Sequence, residues 1–167
     1  MKKVSIIIPC YNEESNLINL YQNLASFMNE HSEYLWQILL INDGSRDHTF
    51  EIIKDIRTKD KRFCYIHLSR NFGKENAMLA GFDHVHGDCC IIMDADLQHP
   101  IQVIPKMLKL WEQGYDDVYA KRKKRGNYSL VISPAKSEFI RRRISAWLSP
   151  CPSRNMSLVT AHSGVLS

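Results

Sequence analysis

Asp94 and Asp96 stand two residues apart, directly behind the apolar run 89–93. If the chain stays extended there, both side chains point the same way, with Cα atoms about 6.6 Å apart. Carboxylates that close repel each other unless a cation lies between them. Oxygen ligands of this kind suit Mg²⁺ or Mn²⁺. Gln98, two residues further on, offers a neutral oxygen. An ion held this way would bridge the two phosphates of a nucleotide diphosphate and neutralise charge growing on a leaving group. The competing reading is an acidic turn that ends a strand and caps a helix opening at Pro100.

Three other clusters carry chemistry of the same kind. Asp43 lies in the turn Asn42-Asp43-Gly44-Ser45. Its carboxylate can accept hydrogen bonds from base N–H groups or ribose hydroxyls, yet those four residues are also good turn formers on any protein. Tyr11 could stack on a base and Glu13 could hold a ribose. Alternatively Asn12 caps a helix, with Glu13 and Glu14 favouring its positive end. Arg70 and Lys74 bracket Gly73. Cations at a helix N-terminus are unfavourable unless an anion such as phosphate is near, and the alternative is two solvated surface cations. His99 reads as a supporting or exposed residue rather than a ligand.

These clusters need elements to hold them. The run 4–8 is β-branched and ends at Pro9, which predicts a buried strand. Leu17, Leu20, Tyr21, Leu24, Phe27 and Met28 recur at helical steps. Residues 36–41 predict a second strand, and a helix from about residue 47 carries Phe50, Ile53 and Ile56 on one side. Residues 63–68 and 89–93 predict two more strands around a helix over 73–85. Pro100 opens a helix bearing Val103, Ile104, Met107, Leu108 and Trp111, and 117–120 is a weak fifth strand. The alternation predicts an α/β fold, a mostly parallel sheet with helices on both faces. Ligands of such sheets bind beyond the carboxyl ends of the strands, where every cluster named above lies.

Composition sets the outer bounds. A chain of 167 residues with 44% hydrophobic and 24% charged side chains suits one globular core. The start Met1-Lys2-Lys3 is basic, but the apolar run behind it is too short for a signal peptide, and no run is long enough to span a membrane. The five Cys lack zinc spacing and read as reduced, structural residues of a cytosolic protein. Residues 1–120 hold 12 basic and 17 acidic side chains, whereas 121–167 hold 10 basic and one acidic, Glu138. A basic end on an acidic body could meet anionic lipid or nucleic acid, or simply be solvated. No interleaved aromatics support RNA readout, so no nucleic-acid partner is expected. No Gly-x-Gly-x-x-Gly follows the first strand, which argues against a dinucleotide-dependent dehydrogenase.

Four segments, Ile6-Ile7-Ile8-Pro9-Cys10-Tyr11-Asn12-Glu13-Glu14, Asn42-Asp43-Gly44-Ser45, Arg70-Asn71-Phe72-Gly73-Lys74 and Asp94-Ala95-Asp96-Leu97-Gln98-His99-Pro100, stand in the order and spacing of glycosyltransferase family 2. The chain resembles the polyprenyl-phosphate branch of that family, the dolichol-phosphate mannosyltransferases and bactoprenol glucosyltransferases, over roughly residues 3–122. The resemblance implies a Rossmann-like GT-A fold and inverting transfer from a nucleotide diphosphate sugar to a lipid phosphate, at the cytoplasmic face of a membrane. It implies that Pro9, Tyr11, Glu13 and Asp43 line a nucleoside pocket, and that Asp94, Asp96 and Gln98 hold Mg²⁺ or Mn²⁺, with Asp96 central to catalysis. Ala95 would touch the donor, and Arg70 and Lys74 would lie near its diphosphate. The expected division is a donor-binding domain over 1–122 and a basic, irregular tail over 123–167. Residues 126–167 do not match the family's acceptor-side segment and read as if truncated or frame-shifted. That departure keeps a second expectation open, a non-catalytic remnant that only binds nucleotide sugar.

Overall fold

In the computed structural model, which describes residues 1–97, 101–115, 117–124, 127–133 and 157–162, the run 4–8 becomes the middle of β1 (Lys3–Cys10). All five of its residues are buried. A strand wet on one face would alternate, and this one does not because helices cover both faces. β2 (Leu35–Asn42) and β4 (Cys89–Ile92) flank β1, both parallel to it. β3 (Phe63–His67) pairs parallel outside β2.

The period of two along β1 sorts the core into two layers. Ile6 and Ile8 pack with Leu17, Leu20 and Leu24 of α1 (Leu17–Glu30), Ile53 and Ile56 of α2 (Thr49–Lys59), and Ile104 and Met107 of α4 (Ile104–Glu112). Ile7 points the other way and packs with Leu39, Ile41, Cys90 and Ile92 beneath Ala77 and Phe82 of α3 (Lys74–Phe82). Each fully buried aliphatic side chain contributes about 1.5–3 kcal/mol. α3 sits close to the sheet because Gly81 faces Ile7: a Cβ on Gly81 would lie 2.8 Å from Ile7 Cγ2. Phe50, expected beside Ile53 and Ile56, instead stacks on His67 of the edge strand at 4.0 Å.

β1 runs one residue past Pro9, where a stop was expected. Pro9 stays in register with Ile41, and Cys10 with Asn42. Successive residues of a parallel strand bond to opposite neighbours. The Ile7 carbonyl bonds the Met93 N–H on the β4 side, and the Cys10 carbonyl accepts the Asp43 N–H on the β2 side. Pro9 therefore aims its missing N–H at β4, where register with β1 has already ended at Ile7–Ile92. No ladder bond is lost.

The sheet continues beyond β4 in the order β3-β2-β1-β4-β7-β5-β6. β5 (Asp117–Lys124) carries the charge block, and β6 (Asn127–Ser133) turns back antiparallel to it. β7 (Ser157–His162) enters between β4 and β5, parallel to both. The boundary expected at residue 122 thus falls within β5, and 123–167 supplies two strands to the same sheet. Hydrophobic periodicity fades after Ala120, but backbone pairing does not require it. Among the described residues, no helix is long and apolar enough to cross a membrane. Pro100, expected to open the fourth helix, lies outside the described residues; a 3₁₀ turn at Ile101–Val103 leads into α4, with a proline in its first turn.

The chain steps outward from β1 to β2 to β3, then returns to β4 on the opposite side of β1. Strand order reverses there, so the carboxyl ends of β1 and β4 open into a crevice.

The far end of the sheet is tied by one charged cluster. Asp60 accepts Nε of Arg62 at 3.0 Å and Nη2 at 2.6 Å, and Arg62 Nη1 donates to Asn29 at 3.0 Å. The Arg62 side chain holds the Asp60 carboxyl below its ordinary range. A depressed folded value means the stabilisation is whole above the unfolded value near about 3.9 and is lost as pH falls through the folded one. Asp60→Asn is expected to cost about 1–2 kcal/mol at pH 7 in urea unfolding, and the gap should shrink in acid, below the unfolded value. An equal gap under both conditions would refute the assignment.

Candidate functional site

The loops that follow β1 and β2 are laced together side chain to backbone. Asn12 has φ 55°, a left-handed conformation that asparagine tolerates. Its Oδ1 accepts the Arg46 N–H at 2.9 Å. Its own N–H donates to Ser45 Oγ at 3.0 Å, and the Glu13 N–H donates to Thr49 Oγ1 at 2.8 Å. Glu14 accepts the His48 N–H at 2.9 Å, at the mouth of α2. Asn12 therefore does not cap α1, as local preference suggested. α1 begins only at Leu17, with no side-chain cap and no acidic residue in its first turn. The Glu14 carboxylate serves the neighbouring helix instead, while Glu13 reaches Thr49 through its backbone N–H and keeps its carboxylate on Asn16, because the parallel sheet brings both loops to one edge.

Asp43 ties in the third loop. Its two oxygens accept the Phe72 and Gly73 N–H groups at 2.8 and 2.9 Å, and the residue is 2% exposed. Gly44, at φ 64°, lets the loops touch: a Cβ there would lie 2.3 Å from the Arg70 carbonyl carbon. The turn chemistry is present too, since Asn42 Oδ1 accepts the Ser45 N–H at 3.1 Å. Gly73, at φ 91°, then starts α3. A carboxylate has about four lone-pair positions, so Asp43 retains acceptor capacity beyond these two bonds.

The acidic pair closes the crevice from the β4 side. β4 ends at Ile92, and residues 95–96 form a turn rather than the extended stretch expected. Alternation survives in the burial: Ala95 is 2% exposed and joins the core, while Asp94 is part-buried and Asp96 exposed. Leu97 follows at φ 55°, a left-handed conformation costly for leucine by roughly 1–2 kcal/mol. Lys74, the first residue of α3, sets its Nζ 2.5 Å from Asp94 Oδ1.

Eight of the expected residues, Pro9, Tyr11, Glu13, Asp43, Lys74, Asp94, Ala95 and Asp96, line one cavity of about 310 Å³. Tyr11 is 40% exposed at its wall, and Glu13 Oε2 accepts Asn16 Nδ2 at 2.7 Å. Arg70 is not among the lining residues; its guanidinium lies over the Phe72 ring at 4.8 Å. Gln98 and His99 fall outside the described residues. Cys10, Asn71 and Gly73 also line the cavity. Asn71 and Gly73 stand between Arg70 and Lys74 in sequence, and that adjacency was the available signal. Cys10 is 1% exposed and donates to the Ile8 carbonyl at 3.4 Å. Burial, helped by Glu13, raises its pKa far above the thiol range, so it stays an inert thiol. Cys64, Cys89 and Cys90 are free as well.

The donor set can be tested against a divalent ion. Among the described residues no three His, Cys, Asp or Glu side chains gather as a metal cage. Two carboxylates at the rim of an open cleft do fit Mg²⁺ or Mn²⁺, which commonly take one or two carboxylates and complete their shell with water and substrate phosphate.

A sequence profile described as Glycosyl transferase family 2 matches residues 5–161. The chain belongs to glycosyl transferase family 2. Within family 2 it is similar to CsbB of Bacillus subtilis (strain 168), at 49% identity over 125 residues, 74% of this chain and 37% of that protein. It is 42% identical over 123 residues to the bactoprenol glucosyl transferase of Shigella phage SfX, 74% of this chain and 40% of that one. The chain spans about two-fifths of the length of these relatives. Among solved structures, mannosyltransferase PcManGT from Pyrobaculum calidifontis, in complex with GDP-Man and Mn²⁺, superposes with TM-score 0.64 at 17% identity, covering 74% of this chain and 36% of its own. S. aureus TarS 1-349 in complex with UDP-GlcNAc gives TM-score 0.59 at 22% identity, covering 75% of this chain and 36% of its own. These likenesses show the shared GT-A fold.

Gly44 is the joint between the second and third loops of the family 2 cleft. Gly44→Ala combines an unfavourable φ with a backbone collision that no side chain can relieve. The expected loss is about 2–4 kcal/mol in denaturant unfolding. Faster amide exchange at Phe72 and Gly73 should accompany it. Unchanged protection at those two amides would show that the loops do not depend on this contact.

Proposed function

We propose that the chain forms the donor-binding part of an inverting, divalent-metal-dependent glycosyltransferase that moves a sugar from a nucleotide diphosphate sugar to a polyprenyl phosphate. The observation that carries this is one cleft holding Tyr11, Asp43 and Lys74 on one side and Asp94 and Asp96 on the other. Relatives named bactoprenol glucosyl transferase support the sugar and acceptor classes. The solved structures with GDP-Man and Mn²⁺, and with UDP and UDP-GlcNAc, support the donor class.

Each residue has a part in that reading. Tyr11 supplies a face for the base, while Asp43 and Glu13 accept hydrogen bonds from the base edge or ribose. Pro9 and Ala95 shape the floor. Asp94, Asp96 and Gln98 hold Mg²⁺ or Mn²⁺, which when bound offsets charge on the departing diphosphate. Asp96 is the ligand on which turnover depends. Lys74, from the same segment as Arg70, adds positive charge facing the two aspartates across the cleft. The acceptor oxygen of a lipid phosphate is already anionic, so the demand for a strong general base is small. The residues' task is to orient donor and acceptor for in-line displacement at the anomeric carbon, which inverts it. Such an acceptor places the work at the cytoplasmic face of a membrane, with the chain in peripheral contact.

Calorimetry with UDP-glucose tests the reading. The wild type should bind more tightly with Mn²⁺ than with EDTA. Asp96→Asn should weaken the Mn²⁺-supported binding at least about tenfold, roughly 1.4 kcal/mol, and erase the difference from EDTA. Metal-assisted binding that survives the substitution would defeat the proposal.

A further inference from the structure

Lys74 and Asp94 belong to different sides of the crevice, one at the start of α3 and the other just beyond β4. Their ion pair joins the two sides, with Nζ 2.5 Å from Oδ1. It is also lopsided: the Asp94 side chain is 19% exposed and the Lys74 side chain 49%. The carboxylate is fixed by its place behind a buried strand, whereas the ammonium sits on a flexible four-carbon stem open to water. Lys74 gains little from its own surroundings, because a cation on the first turn of a helix faces the positive end of the dipole. Its backbone position is nonetheless held, since Asp43 anchors the N–H groups of Phe72 and Gly73 immediately before it.

We propose that Lys74 is an exchangeable counter-ion: it neutralises Asp94 while the cleft holds no donor, gives way when a divalent ion takes that carboxylate, and then pairs with the diphosphate that arrives with the ion. This rests on the donor-binding reading above and adds a regulatory step to it. The physical reason is charge. Asp94 cannot serve an ammonium and a divalent ion at once, and the two cations repel at such range. A diphosphate reverses the sign of that relation by offering oxygens to both. Lys74 therefore opposes the metal in the absence of nucleotide and assists it in its presence. By linkage, nucleotide and metal each raise the other's affinity, and Lys74 enlarges the coupling. One consequence is that free metal alone occupies the cleft poorly, and the ion enters mainly together with the nucleotide.

The full chain is titrated with Mn²⁺ alone, followed by electron paramagnetic resonance of the free ion. It is then titrated with UDP or GDP at saturating Mn²⁺ by calorimetry. Lys74→Met is expected to bind Mn²⁺ alone about fivefold more tightly than wild type, and Mn²⁺-supported nucleotide about tenfold more weakly. Lys74→Arg, which keeps the charge, should bind Mn²⁺ alone no more tightly than wild type. Opposite signs for the two ligands mark the exchange, because a merely structural role would move both the same way. Thermal unfolding checks the fold, and Lys74→Gln is the second neutral variant should Lys74→Met be poorly folded. If the neutral variants bind Mn²⁺ alone no more tightly than wild type, or lose both ligands together, the exchange is wrong while the donor-binding reading stands. If wild type binds neither Mn²⁺ nor metal-supported nucleotide, both are wrong.

Discussion

A buried carboxylate organises this molecule's working edge. Asp43 is almost wholly removed from water, a placement that is costly unless its charge is met by donors. The donors are two backbone N–H groups of a loop far along the chain, at Phe72 and Gly73. Charge-assisted bonds in a low-dielectric setting are strong and directional. They fix where the third loop meets the second, and so fix where α3 begins and what its first residue can reach. Gly44 makes the approach sterically possible, and Asn12 extends the lacing to the first loop. Three loops thus behave as one platform, and the cleft wall they form is set by main-chain contacts rather than by long, mobile side chains.

The fold was readable wherever burial is two-sided. β1, β2 and β4 are apolar because both faces are covered, and their order with intervening helices leaves few alternatives. Helix faces were readable for the same reason, as with Leu17, Leu20 and Leu24. Two local readings, one of them an alternative, gave way to tertiary context. Asn12 has a capping residue's chemistry, but its oxygen found the Arg46 N–H across the sheet edge. Pro9 has a strand-breaker's chemistry, but its defect faces a neighbour whose pairing has already ended. Past Ala120 the apolar signal fades, so β6 and β7 went unread although their backbones pair.

The cleft itself was legible in outline because α/β sheets place ligands at a known edge and the polar clusters all fell there. What the sequence did not reveal was which of those residues hold one another. Asp43 was legible as an acceptor but not as an anchor, since its partners lie in a different loop. Lys74 and Asp94 were assigned to the same site, but only the crossover through α3 and the return to β4 bring their charges into contact. Tyr11 and Asp96, by contrast, sit at exposed rims, where residue type and place after a strand were enough to mark them.

The insertion of β7 between β4 and β5 has an implication for assembly during synthesis. Strands that are neighbours in sequence are not neighbours in space here, because a segment made much later separates them. While the chain emerges from the ribosome, β1 to β4 can form their layers early, whereas β5 and β6 can at first pair only with each other as a hairpin. That hairpin has to wait, one edge open, until β7 arrives to bridge it to the rest. Long-range parallel pairing of this sort is slow and leaves an unpaired edge exposed meanwhile, so the β4 flank is the place where nascent chains would first associate wrongly.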